Sequence, residues 1–278
     1  MRAGFPFDDR RIELFSLLHR ALLAQAPVER SARPSDDPAV FAFYEAYFSN
    51  YIEGTRFTVQ EAADIVFHGI VPTQRPDDAR DIQGTFQLIH PPATDASSPH
   101  TSDELIELLR LRHRIMLTGR PEVNPGEFKT ENNQAGGTTF VDRKLVLGTL
   151  REGFRFYLGL PDGLTRAVFI MFLITEIHPF ADGNGRIARV FMNAELTAAG
   201  QQRIVVPTGY RQNYLSALSG LSHNDRAAGL VRALDFAHRY SAMVDWSSRP
   251  HAQRMLEATG AFEENGDSAR IRLPEPWD

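Results

Sequence analysis

His178-Pro179-Phe180-Ala181-Asp182-Gly183-Asn184-Gly185-Arg186-Ile187-Ala188-Arg189 gathers a proton acceptor, a carboxylate, two turn glycines and two arginines within one turn and the start of one helix. An imidazole with an ordinary pKa of about 6.5 can serve as a base near neutrality. Asp182 can hold Mg²⁺ as a single protein carboxylate, because that ion keeps waters and takes substrate phosphate oxygens for the rest of its octahedron. Gly183, Asn184 and Gly185 let backbone approach a ligand closely, and the free amides of a helix start offer an anion about half a positive charge. Arg186 and Arg189 stand three residues apart, on one face of that first turn, where each can fork onto phosphate oxygens. Cations at a helix N-terminus cost a few tenths of a kcal/mol, so two of them call for a compensating anion. Singly, the same residues read as a helix cap, turn glycines and solvated helix ends. Jointly they read as a handler of nucleotide phosphates.

The elements that must position this set are legible on either side. Ala167 to Ile174 is apolar on all sides, as expected of a helix buried in a core, and is too short to span a membrane. Pro179 cannot continue it, so His178 should stand at its C-terminal end facing a cleft, where the helix dipole favours the charged imidazole. Gly183-Asn184-Gly185 should open a second helix running to about Ala199 and closed by Gly200.

The segment resembles, at every defined position, the signature HPFx[D/E]GNGRxxR of the Fic family (filamentation induced by cAMP), whose best-known members transfer AMP from ATP to a hydroxyl of a target protein. The resemblance implies His178 as general base, Asp182 as Mg²⁺ ligand, Gly183, Asn184 and Gly185 as anion hole, and Arg186 and Arg189 as phosphate-binding cations. The Doc branch, which resembles a kinase, has lysine in place of Gly185. Glycine here therefore implies nucleotidyl transfer rather than phosphorylation.

A second motif lies upstream. Ser49-Asn50-Tyr51-Ile52-Glu53-Gly54 ends an apolar-rich stretch from Val40 that reads as a helix stopped by Gly54. It resembles the inhibitory motif (S/T)xxxE(G/N) of the same family, which implies that Ser49 and Glu53 bear on the second signature arginine, Glu53 pairing with Arg189 and excluding a productive γ-phosphate. Between the motifs, Asn132 to Val141 is polar and Gly-rich with a β-prone end, consistent with a hairpin. By resemblance it is a flap, with Thr138, Thr139, Phe140 and Val141 holding the target as an added strand. Downstream, Ile204 to Pro207 should be a short buried extended piece. Tyr214 and Asn224 are candidates for nucleobase contacts, with Tyr214 equally readable as core.

The fold expected is mainly α: a Fic-type helical core with a short β-hairpin flap and an additional N-terminal helical region. Residues 1–48 form the N-terminal extension and linker, 49–245 the inhibitory helix and catalytic domain, and 246–278 a C-terminal tail. Helices are expected over Arg10 to Gln25, from capping boxes at Thr58 and Thr101 to Phe67 and Leu117, and over Asp142 to Tyr157, Thr165 to His178, Tyr210 to Leu221 and Ala227 to Asp245. Pro27 to Pro38 reads as linker, and Pro72 to Asp78 and Pro91 to His100 as loops.

The 278 residues, 42% hydrophobic, suffice for one sizeable core. With no cysteine there are no disulfides or thiolate metal sites, and a net charge of −5 gives no overall basic footprint for nucleic acid. No leader-like segment or spanning run is apparent, so cytoplasm is the default and no membrane is expected. The function expected is an autoinhibited protein adenylyltransferase using ATP and Mg²⁺ on a Ser, Thr or Tyr hydroxyl of a partner protein, with self-modification and a homodimer as further options. A hydrolase removing AMP, a transferase using another nucleotide and a non-catalytic binding module are the alternatives.

Overall fold

The computed structural model describes residues 5–25, 27–33, 37–90, 97–264 and 271–275. They form eleven α-helices and one two-residue hairpin, in keeping with the mainly α class expected.

The central element is α7, Leu164–Ile177, whose residues Val168 to Ile174 are all completely buried. With no charged side chain in that run, every face can be covered without leaving a buried charge, and each large apolar residue contributes roughly 1.5–3 kcal/mol by leaving water. It packs against α1 (Asp9–Ala24), α6 (Val146–Leu158) and α8 (Asn184–Ala198). The Phe15 ring of α1 meets Phe169 and Phe172 edge-on, each at 6.1 Å.

A second apolar cluster surrounds α2, Pro38–Ile52, buried from Val40 to its end. Against it pack α3 (Val59–His68), α4 (Pro76–Ile89) and residues from α11 (Arg249–Ala258). The remaining helices are α5 (Ser102–Met116), α9 (Arg211–Asn224) and α10 (Ala227–Met243). No helix of the described residues is long and apolar enough to cross a membrane.

Local chemistry sets most boundaries. Thr58 and Glu61 exchange both bonds of a capping box at the start of α3. At α5 only half the box forms: Thr101 accepts from the Glu104 amide at 3.1 Å, while Glu104 accepts from the His100 amide at 2.7 Å. The extended piece Ile204 to Val206 has no strand beside it. Its backbone is completed by side chains instead, Asn193 bonding both the amide and carbonyl of Ile204 and Ser241 taking the Val205 amide.

Three sequence expectations change. The loop expected over Pro72 to Asp78 ends at Pro76, which occupies the first turn of α4, a position where its missing N–H costs nothing. The helix expected from Asp142 starts at Val146, because Asp142 accepts the Lys144 amide at 2.8 Å and holds a turn. The stretch beyond 246 contains α11, started by Ser248 as N-cap and anchored by buried Ala252 and Leu256. Most of the loop expected over Pro91 to His100 lies outside the described residues.

The α4–α5 crossing is closest at Gly84, where an added Cβ would lie 2.1 Å from the Met116 carbonyl oxygen. Gly84→Ala should therefore destabilise the protein by about 1–3 kcal/mol through overpacking. Alanine's better helix propensity, worth about 1 kcal/mol, opposes this loss without cancelling it. The urea midpoint measures the balance, and an unchanged or raised midpoint would contradict this packing.

Candidate active site

The site begins where α7 ends. His178 is the C-cap residue, at φ 55° and ψ 61°, and its amide bonds the Ile174 carbonyl at 3.0 Å. A left-handed histidine stores about 1–2 kcal/mol of strain. This turns the imidazole off the helix while Pro179 prevents another turn.

Ring Nδ1 lies 3.1 Å from the Thr175 carbonyl oxygen. A carbonyl only accepts, so Nδ1 carries the proton and Nε2 keeps the lone pair. Phe140 stacks on the ring, centroids 3.6 Å apart and planes 4° from parallel. Burial, with the nearby Lys129 ammonium, pulls the His178 pKa down to about 4, against a smaller upward pull from Thr175. The expectation that the helix end would favour the charged form is thus overturned, because desolvation outweighs the dipole. Lys129 is itself buried and falls to about 8, with Nζ donating to Asn133 at 2.7 Å.

The loop from Phe180 to Asn184 is fixed by two side chains. Asn184 is 1% exposed and bonds both backbone groups of Phe180, accepting at 2.8 Å and donating at 2.9 Å. Its side chain therefore braces the turn instead of reaching a ligand. His113 of α5 stacks on Phe180, with centroids 3.7 Å apart. The Gly126 amide donates to its Nδ1 at 2.9 Å, so Nε2–H donates to the Asp182 carbonyl at 3.0 Å. Burial brings His113 down to about 4, which keeps this neutral tautomer through the neutral range.

Gly183 caps α8 at φ 75°, where a Cβ would crowd Leu117 and Met116. The first helical bond runs from Ile187 to the Gly183 carbonyl, leaving the amides of Asn184, Gly185 and Arg186 ahead of the ladder. The group packed against Gly185 is the carboxylate of Glu53. A Cβ on Gly185 would lie 2.2 Å from Glu53 Oε1. The same Oε1 accepts from Arg189 Nη2 at 2.6 Å. Arg189 is 5% exposed and also donates to the Ser49 hydroxyl at 3.0 Å and the Ser49 carbonyl at 2.9 Å. A carboxylate from the end of α2 thus rests on the bare backbone of a helix start, where an anion is favoured.

Arg186 departs from the role expected of it. It is 2% exposed, and its Nη1 meets Asp81 of α4 at 2.7 Å and Asn50 of α2 at 3.3 Å. Its Nη2 reaches Asp182 at 3.4 Å. Asp81 also pairs with Arg120 at 3.1 Å. Arg186 therefore ties α8 to α4 and α2, because a buried guanidinium needs carboxylate or amide oxygens at once.

Asp182 remains half-exposed, with Oδ1 accepting the Gly183 amide at 2.6 Å and Oδ2 held only loosely. It fits a Mg²⁺ ion that takes most of its ligands from water and phosphate. No cluster of three or more His, Asp or Glu suited to a metal occurs among the described residues.

A cleft of about 330 Å³ opens beside His178, Gly185 and Arg189, walled by Tyr214, Leu215 and Leu218 of α9 and by Ile52. Tyr214 is 1% exposed and burial pushes its phenol up, with Arg189 beside it. Arg211, which sequence reading passed over, lines the same cleft and donates twice to the Ile52 carbonyl, at 3.1 and 3.0 Å. Asn224 ends α9 exposed and does not line this cleft, because α9 runs away from it toward the flap.

Residues 99–196 match the sequence model of the Fic/DOC family. Over those residues the chain is similar to a Fic domain. It is 22% identical to a protein adenylyltransferase Fic of Drosophila grimshawi, over 98% of this chain and 58% of that protein. With its counterpart in Drosophila persimilis the identity is 24%, over 96% of this chain and 53% of the other. The chain thus spans little more than half the length of these relatives. A solved segment of Fic-1 from C. elegans superposes with a TM-score of 0.58 at 18% identity, over 90% of this chain and 72% of that one. A Fic domain containing signaling protein from Bacteroides thetaiotaomicron gives 0.60 at 20%, over 84% and 94%.

The hairpin beside His178 pairs β1 (Gln134–Ala135) with β2 (Thr138–Thr139), Gln134 opposite Thr139. Thr138 shares a hydrogen bond with His223 at 2.8 Å, and the Thr139 carbonyl accepts from Arg11 of α1 at 2.6 Å. Val141 is completely buried in the main core. Its side chain therefore anchors the base of the hairpin in the core. Only four of the ten hairpin residues lie in strands, which is why the β signal was weak.

The half-buried, stacked imidazole carries a spectroscopic prediction. By ¹⁵N-detected NMR, His178 should titrate near 4, not 6.5, with the proton on Nδ1 in its neutral form. Phe140→Ala admits water, which favours the cation, so the pKa should rise toward the ordinary value. A wild-type midpoint near 6.5 would show that the ring is not covered.

Proposed function

We propose that this chain is a protein adenylyltransferase held inactive by its own α2, moving AMP from ATP to a hydroxyl side chain of another protein. The observation that carries this reading is the Glu53 carboxylate on Gly185 and Arg189, in the position a terminal phosphate would need. Relatives of this chain bear the name protein adenylyltransferase Fic, and its intact Gly185 keeps the helix start open to an anion of that kind.

His178 Nε2 takes the proton of the target hydroxyl as its oxygen bonds the α-phosphorus and pyrophosphate leaves. The lowered pKa keeps that nitrogen unprotonated at neutral pH. The amides ahead of α8, with Arg189 once freed, stabilise the charge that moves onto the leaving oxygens. Mg²⁺, held by Asp182, would supply further positive charge at the phosphates. Asn184, His113 and Arg186 position this loop without touching the nucleotide. Tyr214, Leu215 and Leu218 offer the apolar wall for the base, and Thr138, Thr139 and Phe140 face the target. The reading takes ATP as donor, and the chain as working in the cytoplasm.

Inhibition by Glu53 works through occupancy. A charge-assisted bond of about 1.5–3 kcal/mol biases the site by roughly ten- to a hundredfold. With labelled ATP and Mg²⁺, Glu53→Gly should label itself or a lysate protein ten- to a hundredfold more than wild type. Ser49→Ala, which frees only one of the Arg189 bonds, should give a few-fold rise. Adding His178→Ala to Glu53→Gly should abolish labelling. If Glu53→Gly is silent but wild type releases AMP from a modified protein and the variant does not, Glu53 is orienting a water and the direction is reversed.

A further inference from the structure

A second cleft, of about 730 Å³, lies between α1, the end of α9 and the start of α10. Its floor is bare: a Cβ added at Gly229 would meet nothing within 4 Å, and one at Gly220 only the Cβ of Arg226 at 3.8 Å. Three exposed arginines, Arg20, Arg226 and Arg232, stand around it. Among the described residues none of the three has a carboxylate partner. The single acidic residue in the lining, Asp225, is taken by Arg10 at 2.5 Å. The cleft is thus a cationic recess on a chain whose net charge is −5.

Its position relates it to the flap. Arg11 of α1 holds the Thr139 carbonyl, and Arg20 stands nine residues further along the same helix, about 14 Å at 1.5 Å per residue. His223 of α9 holds Thr138, and Asp225 and Arg226 follow it directly into the cleft. The two helices that fix the hairpin therefore also wall the recess. A chain laid along the hairpin reaches it after about four extended residues.

We propose that this recess docks an acidic segment of the protein whose hydroxyl is modified, so that charge recognition about four residues or more from the reacting side chain selects the target. The proposal rests on the protein-modifying reading above. Guanidinium groups fork onto carboxylates, which suits three of them converging on one hollow. Nucleic acid fits less well, since the lining contains no aromatic side chain on which a base could stack.

The test uses a fluorescein-labelled octaglutamate peptide, read by anisotropy without nucleotide or Mg²⁺, so its outcome does not depend on catalysis. Wild type should bind it, more weakly as salt rises. The combined variant Arg20→Glu, Arg226→Glu, Arg232→Glu should bind at least tenfold more weakly, and the matching Gln variant should fall between. Far-UV circular dichroism confirms that the variants are folded. Equal binding by wild type and the Glu variant, or none by either, overturns the proposal. So does tighter binding of a single-stranded oligonucleotide of equal charge through the same arginines. In the Glu53→Gly background the Glu variant should lose labelling of lysate proteins while keeping self-labelling. Absence of self-labelling in Glu53→Gly both with and without the arginine changes would instead count against the adenylyltransferase reading, leaving the peptide result to decide the cleft.

Discussion

A guanidinium buried at the positive end of a helix must be surrounded by acceptors, and α8 buries two. Arg186 and Arg189 are 2% and 5% exposed on its first two turns, where lost solvation works against both and the helix dipole most against Arg186. Much of the surrounding architecture answers that requirement. Helix α4 brings Asp81, and α2 brings Asn50, Ser49 and Glu53. Together they cross-brace three helices around one loop.

The two arginines are satisfied differently. Arg186 is bound by a buried carboxylate on a helix that has its own core, so releasing it would leave Asp81 facing Arg120 alone. Arg189 holds an anion that lies against Gly185, and that anion sits on a C-cap residue beyond the last turn of α2, at the edge of a cleft. Under the proposed function, a carboxylate so placed is the one that gives way to another anion. A structural cation and an exchangeable one thus stand three residues apart on one helix.

The imidazole next to them is prepared in advance. Its tautomer is set by Thr175, its plane by Phe140 and its neutrality by burial. Below the loop, His113 plays a purely positional part with the opposite tautomer, Nδ1 accepting and Nε2 donating. Identical side chains thus take opposite tautomers because one faces a carbonyl through Nδ1 and the other receives an amide there.

Periodicity and punctuation were enough to read α7, α8 and the His178–Arg189 loop, since an all-apolar run, a proline and paired glycines act locally. The capping residues of α3 and α5 and the end of α2 at Gly54 were legible for the same reason. Helix α4 was not, because Pro76 looks like a loop residue until the rest of the segment is seen to pack on α2 and α5. With it Asp81 was missed, as no spacing along the chain links position 81 to position 186. His113, Arg211 and Arg11 escaped for the same reason. By itself, then, the sequence determined the helix junction that carries His178 to Arg189, and resemblance implied the pairing of Glu53 with Arg189 that the structure contains. Tertiary structure alone decided that Arg186 and Asn184 look inward, that Val141 is core and that the His178 pKa is pushed down. Each of those outcomes depends on which distant groups exclude water from a side chain, and burial is a property of the packed fold and not of any local stretch.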